Sequence, residues 1–180
     1  MAVTLLKLGE AKLAGGDRTG VLAAFQKSFE LFATLAADPS SGQALNDLGV
    51  GLYYVSIMSG TPEIRAELTK RLSIFGADIQ RALSANLISR GDAELQKGNQ
   101  ATALAAYQES FYIFLKLAAQ DPGSAWASAD LNFSLGKIAD PAQKRAVLNE
   151  GLTIVKMLNL TSEQMQRAEL VLQIFLSKLP

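Results

Sequence analysis

The chain has 180 residues, 17 basic and 17 acidic, with 49% hydrophobic residues and neither histidine nor cysteine. Its length suits one domain with a hydrophobic core. Without histidine or cysteine it cannot form a Ser-His-Asp or Cys-His nucleophile, a zinc site with nitrogen or sulfur ligands, or a disulfide. Its zero formal charge argues against nucleic acid or an anionic membrane as a partner.

Apolar spacing and helix-terminus signals predict nine helices and no strand. Phe25, Phe29 and Phe32 recur at intervals of three or four residues, as one face of a helix requires. In chain order we expect helices over about 2–14, 19–37, 41–58, 62–83, 85–97, 100–119, 124–138, 141–158 and 162–178.

Helix ends carry recognisable residues. Asp140 stands before Pro141, and a proline in the first helical position favours a helix start. Thr161 followed by Gln164 matches a capping box, and Gly98 supplies a turn between two helices. No stretch reaches the roughly 20 apolar residues of a spanning helix, and Lys7 comes too early for a signal peptide. We therefore expect a cytoplasmic protein.

An internal repeat organises the chain. Residues 5–37 align with residues 87–119 at a shift of 82, and 15 of the 33 positions are identical. That shift is about twice the length of a two-helix hairpin. We therefore predict four hairpins in a single domain, followed by one terminal helix; they cover about 2–39, 41–83, 85–121 and 124–158, with the terminal helix over 162–178.

The repeat unit resembles the tetratricopeptide repeat (TPR), in which a Leu-Gly pair in the first helix is followed by a small residue four positions before an aromatic residue in the second. The matching residues are Leu5, Leu8, Gly9, Val21 and Phe25 in the first hairpin and Leu87, Gly91, Ala103 and Tyr107 in the third. The second helix is about two turns longer than in the standard unit. In this respect the chain is similar to kinesin light chain and to many bacterial signalling proteins.

The resemblance implies an all-α, right-handed α-solenoid with a concave groove that binds peptides or proteins. The residues expected to face this groove are Val3, Leu6, Glu10, Leu13, Asp47, Val50, Tyr54, Ile57, Ala85, Ile88, Asp92, Leu95, Asp130, Phe133 and Lys137. This set is apolar with four carboxylates, so we expect an apolar partner segment that carries Lys or Arg. Two alternatives remain: Asp47 and Asp130 oppose helix dipoles in solvent, and Tyr54 belongs to the core.

Other conspicuous residues have structural interpretations. We expect Trp126 to pack between repeats. The charged residues of segment 63–71 are expected on a solvated convex face, with Glu67 and Arg71 at ion-pair spacing. The last helix has one broad apolar face, and Leu170 and Ile174 lie on its opposite side, which predicts contact with a second copy or another domain.

Three functions follow. The leading hypothesis is a non-enzymatic protein-interaction scaffold without metal or cofactor, because no reacting constellation of side chains is visible. The second is a self-association or regulatory module of a larger signalling protein, on account of the last helix. The third is binding of an apolar small molecule by the helical stack, on account of the apolar composition.

Overall fold

The structure of the protein is a computed structural model. It describes residues 61–121 and 123–180, and before them residues 5, 8–9, 11–12, 20, 23–24, 27–28, 30–31, 34 and 47–52. All of the described residues before 61 are helical, and no described residue is in a strand. The prediction of an all-α chain is confirmed for this part of the molecule.

From residue 61 onward the described chain forms six α-helices and one 3-10 turn. The helices are α1 (Pro62–Arg71), α2 (Ala77–Gln96), α3 (Gln100–Gln120), α4 (Ala125–Gly136), α5 (Pro141–Met157) and α6 (Ser162–Ser177), and the 3-10 turn Leu72–Ile74 follows α1. None of the helices within the described residues has both the length and the apolar character needed to cross a membrane.

The predicted helix-terminus signals are confirmed. The Asp140 side chain accepts a hydrogen bond of 2.8 Å from the backbone N–H of Ala142 at the start of α5. Thr161 and Gln164 form the reciprocal capping box of α6. Gly98 has a φ of +83° in the turn between α2 and α3, a conformation that a residue without Cβ adopts without steric cost.

One predicted helix boundary is wrong. The sequence pattern predicts a single helix over 62–83 and a new one from 85, whereas α1 ends at Arg71 and α2 runs unbroken from Ala77. The break lies at Phe75 and Gly76, both in extended conformation. The Gln80 side-chain amide donates a hydrogen bond of 2.7 Å to the Phe75 carbonyl, which satisfies a backbone acceptor that the break leaves without a helical partner.

The buried Lys116 of α3 also holds this break together. Its Nζ donates hydrogen bonds to the carbonyl of Thr69 in the last turn of α1, at 3.1 Å, and to Oε1 of Gln80, at 3.2 Å. Lysine donors stabilise the free carbonyls at a helix C-terminus. Burial lowers the pKa of Lys116 to about 8, because a charged ammonium loses hydration inside the protein.

Helix α3 lies at the centre of the described structure. It packs against α2, α4, α5 and α6, and α1 contacts both α3 and α5. In the predicted solenoid only neighbouring hairpins contact each other. The contact between α1 and α5 departs from this arrangement, because the two helices belong to the second and fourth predicted hairpins. Equivalent positions of the two repeats also differ in burial. Lys27, Glu30 and Thr34 are exposed, whereas their counterparts Glu109, Tyr112 and Lys116 are buried.

Charged and polar side chains fill the contact between α1, α3 and α5. Arg65 is only 5% exposed, which contradicts its predicted place on a solvated face. Its Nε lies 3.4 Å from Glu109 Oε1 and 3.5 Å from Glu150 Oε1, and its Nη1 donates a hydrogen bond to Gln108. The Tyr112 hydroxyl donates a 2.8 Å hydrogen bond to Glu150. Burial opposes the charge of Arg65, but these two carboxylates outweigh it and raise the pKa of Arg65.

Candidate functional site

Helices α2 and α4 both pack against α3, and two ion pairs connect them, the second through Lys137 directly after the end of α4. In the first pair, Arg81 Nε donates a hydrogen bond to Asp130 Oδ2 at 2.7 Å. In the second, Lys137 Nζ donates to Asp92 Oδ2 at 2.7 Å and to Oδ1 at 3.0 Å. Residue numbers increase along both helices from the first pair to the second, so α2 and α4 run in the same direction. We call the surface between them the α2–α4 groove; α3 forms its floor.

Three pockets follow one another along the α2–α4 groove, and they occur in the same order along all three helices. The Trp126 pocket, of about 120 Å³, lies between Ala77, Leu117 and Trp126. The Phe133 pocket, of about 310 Å³, is lined by Ala85, Ile88, Asp92, Phe114, Asp130 and Phe133, among others. The Tyr107 pocket, of about 260 Å³, is lined by Leu95, Ala103, Tyr107, Lys137 and Asp140, among others.

The first ion pair separates the Trp126 pocket from the Phe133 pocket, and its members line both. The hydrogen bond to Asp130 raises the pKa of Arg81. The Arg81 guanidinium also stacks over the Trp126 ring, with its Cζ 5.4 Å from the ring centre, a favourable cation–π distance. Trp126 is nevertheless 65% exposed, so the prediction that it packs between repeats is wrong.

The second ion pair separates the Phe133 pocket from the Tyr107 pocket. Asp92 accepts a further hydrogen bond, of 2.7 Å, from the Tyr107 hydroxyl. The donors Lys137 and Tyr107 lower the pKa of Asp92, since both stabilise the carboxylate. Burial and the hydrogen bond to Asp92 raise the pKa of Tyr107. Lys137 Nζ also lies 5.2 Å from the centre of the Phe133 ring, and Phe133 is 58% exposed.

Tyr107 is positioned by close contact with the backbone of α2. A Cβ placed on Gly91 would lie 2.4 Å from Tyr107 Cε1 and 2.8 Å from Cδ1. Only glycine lets the Tyr107 ring lie this close to the helix, and at that depth its hydroxyl reaches Asp92. The repeat residue Gly91 therefore determines the geometry of the second ion pair.

The structure brings together the groove residues predicted for the third and fourth hairpins. Ala85, Ile88, Asp92, Leu95, Asp130, Phe133 and Lys137 all line the Phe133 or Tyr107 pocket. Ile88 is buried and lines the Phe133 pocket from the α2 side. Asp47 and Val50 lie in the helical residues 47–52 and are half-buried. The other predicted groove residues lie outside the described residues; they are Val3, Leu6, Glu10, Leu13, Tyr54 and Ile57.

Sequence reasoning missed Arg81 and Trp126. The misplaced helix boundary assigned Arg81 to the preceding helix, although it lies four residues before Ala85 and shares that helical face. Trp126, Asp130, Phe133 and Lys137 are similarly spaced by four, three and four residues. This spacing on one helix face could have placed Trp126 beside the predicted groove residues.

Among the described residues that line the three pockets, acidic side chains outnumber basic ones. Two of the four carboxylates, Asp92 and Asp130, pair with the cations Lys137 and Arg81. The other two are the exposed Asp121, at the end of the Trp126 pocket, and the exposed Asp140, beside the Tyr107 pocket. Among the described residues, no three Asp or Glu side chains are grouped so that they could hold a metal ion.

A second apolar surface lies on α6. Ala168 and Leu172 are buried against the core, together with the partly buried Val171. On the other side of the helix Leu170 is 57% exposed and Ile174 is 44% exposed. The predicted two-sided apolar character of the last helix is confirmed.

Comparison with protein-family models gives no match for this chain, and comparison with curated proteins likewise gives none.

Proposed function

We propose that the protein is a non-enzymatic interaction module that holds an extended segment of a partner protein in the α2–α4 groove. The observation that carries this proposal is the exposure of two large aromatic side chains, Trp126 and Phe133, along the same groove. Exposed aromatic residues beside a pocket are characteristic of protein-binding surfaces, where they supply a large apolar contact area.

The arrangement of the groove supports a long, narrow ligand. From Ala103 to Gln120, α3 forms the floor over a helical rise of about 26 Å. An extended peptide advances about 3.4 Å per residue, so roughly eight residues would span the three pockets. The two ion pairs cross the groove between these pockets, and we expect the peptide to lie over them with side chains in the pockets on either side.

The resemblance to the TPR family supports the same proposal from the sequence. The residues that carry the resemblance include Gly91 and Tyr107, which are in contact beside the Tyr107 pocket. In that family the concave face of a right-handed superhelix binds peptides or proteins. We propose this superhelical arrangement for the stacked hairpins, with the contact between α1 and α5 as a departure from the simple stack.

Selection from a random peptide library displayed on phage tests the proposal without assuming a partner. Selected peptides are expected to bind the wild-type protein and to lose at least tenfold in affinity on Phe133→Ala, since removing a central aromatic anchor costs about 2 kcal/mol or more. Ile74→Ala is the matched control, because Ile74 is 71% exposed and lines none of the three pockets. Peptides that bind Phe133→Ala as tightly as the wild type would refute groove binding.

Self-association through α6 is the second candidate function. Leu170 and Ile174 are exposed on one side of α6, and such a patch is buried when two copies associate about a twofold axis. Sedimentation velocity over a hundredfold range of protein concentration distinguishes this candidate. A single monomeric species throughout the range would rule it out.

A further inference from the structure

Two carboxylates that line the α2–α4 groove have no ion-pair partner among the described residues, and they lie at its opposite ends. Asp121 follows the last residue of α3 and lines the Trp126 pocket. Asp140 caps α5 and lines the Tyr107 pocket, which the first turns of α3 also line. The central Phe133 pocket contains Asp92 and Asp130, and each of these has a cation within 2.7 Å. The groove is therefore balanced in charge at its centre and acidic at both ends.

We propose that the partner segment has an apolar centre with a basic residue at each end, about seven positions apart. This inference rests on the proposed function and specifies the chemistry of its ligand. The apolar centre complements the Phe133 pocket, whose aromatic and aliphatic lining includes Ile88 and Phe114. The basic ends complement Asp121 and Asp140. Their separation follows from the rise of about 26 Å along α3, which about seven steps of an extended chain would cover.

The centre of the groove disfavours a charged residue of either sign. A partner cation there would be repelled by Arg81 and Lys137, and a partner carboxylate would be repelled by Asp92 and Asp130. Either charge could form an ion pair only if one of the existing pairs opened. Opening a hydrogen-bonded pair leaves one charge without its partner, which is unfavourable where water is partly excluded. An apolar residue in the Phe133 pocket leaves both pairs intact.

The protein contains a built-in reporter for this interaction. Trp126 is the only tryptophan, it is exposed, and it lines the pocket next to Asp121. A peptide that covers its indole ring is expected to shift the tryptophan emission to shorter wavelength. Binding of an unlabelled peptide that lacks tryptophan can therefore be followed directly in the unmodified protein.

The test is a Trp126 fluorescence titration with four synthetic peptides of eight residues. KSALFASK carries lysines seven positions apart, and QSALFASQ and ESALFASE replace both lysines with neutral or acidic residues. KALFKSSA has the same composition as the first peptide with the lysines only four positions apart. At low salt we expect KSALFASK to bind three- to tenfold more tightly than QSALFASQ, as suits two partly exposed ion pairs, and ESALFASE to bind most weakly. KALFKSSA should fall clearly below KSALFASK.

The variants assign the effect to the two ends of the groove. Asp121→Asn and Asp140→Asn are each expected to weaken binding of KSALFASK two- to threefold and to leave QSALFASQ unchanged. Asparagine retains the helix cap at position 140. Glu163→Gln, on α6, removes one negative charge outside the groove and should have no effect.

Equal affinity for KSALFASK and QSALFASQ, or an affinity for KSALFASK that neither aspartate substitution changes, would overturn the inference and leave peptide binding in the groove intact. Failure of all four peptides to bind would overturn it as well. The library selection with Phe133→Ala would then decide the proposed function separately.

Discussion

Gly91→Ala is the substitution that probes the geometry of the groove most sharply. In the interior of a helix, replacing glycine with alanine ordinarily stabilises a protein by about 0.4–1 kcal/mol. At Gly91 the added methyl group would lie 2.4, 2.8 and 3.0 Å from three carbon atoms of the Tyr107 ring. Real Cβ contacts are longer than this, so either the ring or the helix must move.

The Tyr107 ring has little freedom to move. It is 3% exposed, and its hydroxyl donates to Asp92, which is itself paired with Lys137. Overpacking of such a site costs about 1–3 kcal/mol. With three close contacts we take the upper part of that range and subtract the gain in helix propensity, which gives a net loss of about 2 kcal/mol.

The assay is urea denaturation followed by far-ultraviolet circular dichroism, with Trp126 fluorescence as a second probe. In thermal denaturation, the same loss of about 2 kcal/mol in the free energy of unfolding should lower the melting temperature by about 4–8 °C for a chain of this size. Gly136→Ala is the matched control. Gly136 ends α4, and apart from its own helix and chain neighbours, no heavy atom of the described residues would lie within 4 Å of a methyl group added there. The control should be neutral or stabilising by up to about 1 kcal/mol.

A Gly91→Ala protein that is as stable as the Gly136→Ala protein would refute this reasoning. A double-mutant cycle with Tyr107→Leu adds a further check, since a smaller side chain at 107 should make alanine at 91 less costly. Tyr107→Phe should not have that effect, because the close contacts involve ring carbons and not the hydroxyl.

Three further predictions concern stability and assembly. Arg65→Met removes the buried cation between Glu109 and Glu150 and should cost about 3–5 kcal/mol by urea denaturation; the same change at the exposed Arg71 should cost less than about 1 kcal/mol. The pKa of Lys116 falls from 10.5 to about 8 on folding, so between these pH values the unfolded chain binds more protons than the folded chain. The free energy of unfolding should therefore rise as the pH increases from about 8 to 10.5. In Lys116→Met this increase should be absent. Ile174→Ser should abolish any concentration-dependent association seen by sedimentation velocity and leave peptide binding unchanged.

Local signals in the sequence predicted the local structure well. The capping residues Asp140 and Thr161 accept hydrogen bonds from residues two and three positions further along the chain. The turn at Gly98 depends only on the presence of glycine at that position. The groove residues Asp130, Phe133 and Lys137 were expected from the resemblance to the TPR family, and all three line the Phe133 or Tyr107 pocket. The predictions of the helix caps and of the turn depend only on contacts within a few residues.

The missed features depend on tertiary contacts that spacing does not reveal. Arg65 was expected on a solvated face. The two carboxylates that stabilise its charge in the buried position lie 44 and 85 positions further along the chain. The break at Phe75 is stabilised by Lys116, from a different helix. Trp126 was expected in the core because aromatic side chains usually lie there, whereas Arg81 stacks on it at the surface.

The central claim is that a partner segment occupies the α2–α4 groove, and the most direct measurement is NMR mapping of a library-selected peptide on isotope-labelled protein. We predict shifts of the Trp126 indole N–H signal and of the methyl signals of Ile88 and Leu95, which together sample the three pockets. The methyl signals of Leu170 and Ile174 on α6 should stay in place. Shifts confined to Leu170 and Ile174, with Trp126 unaffected, would contradict the account.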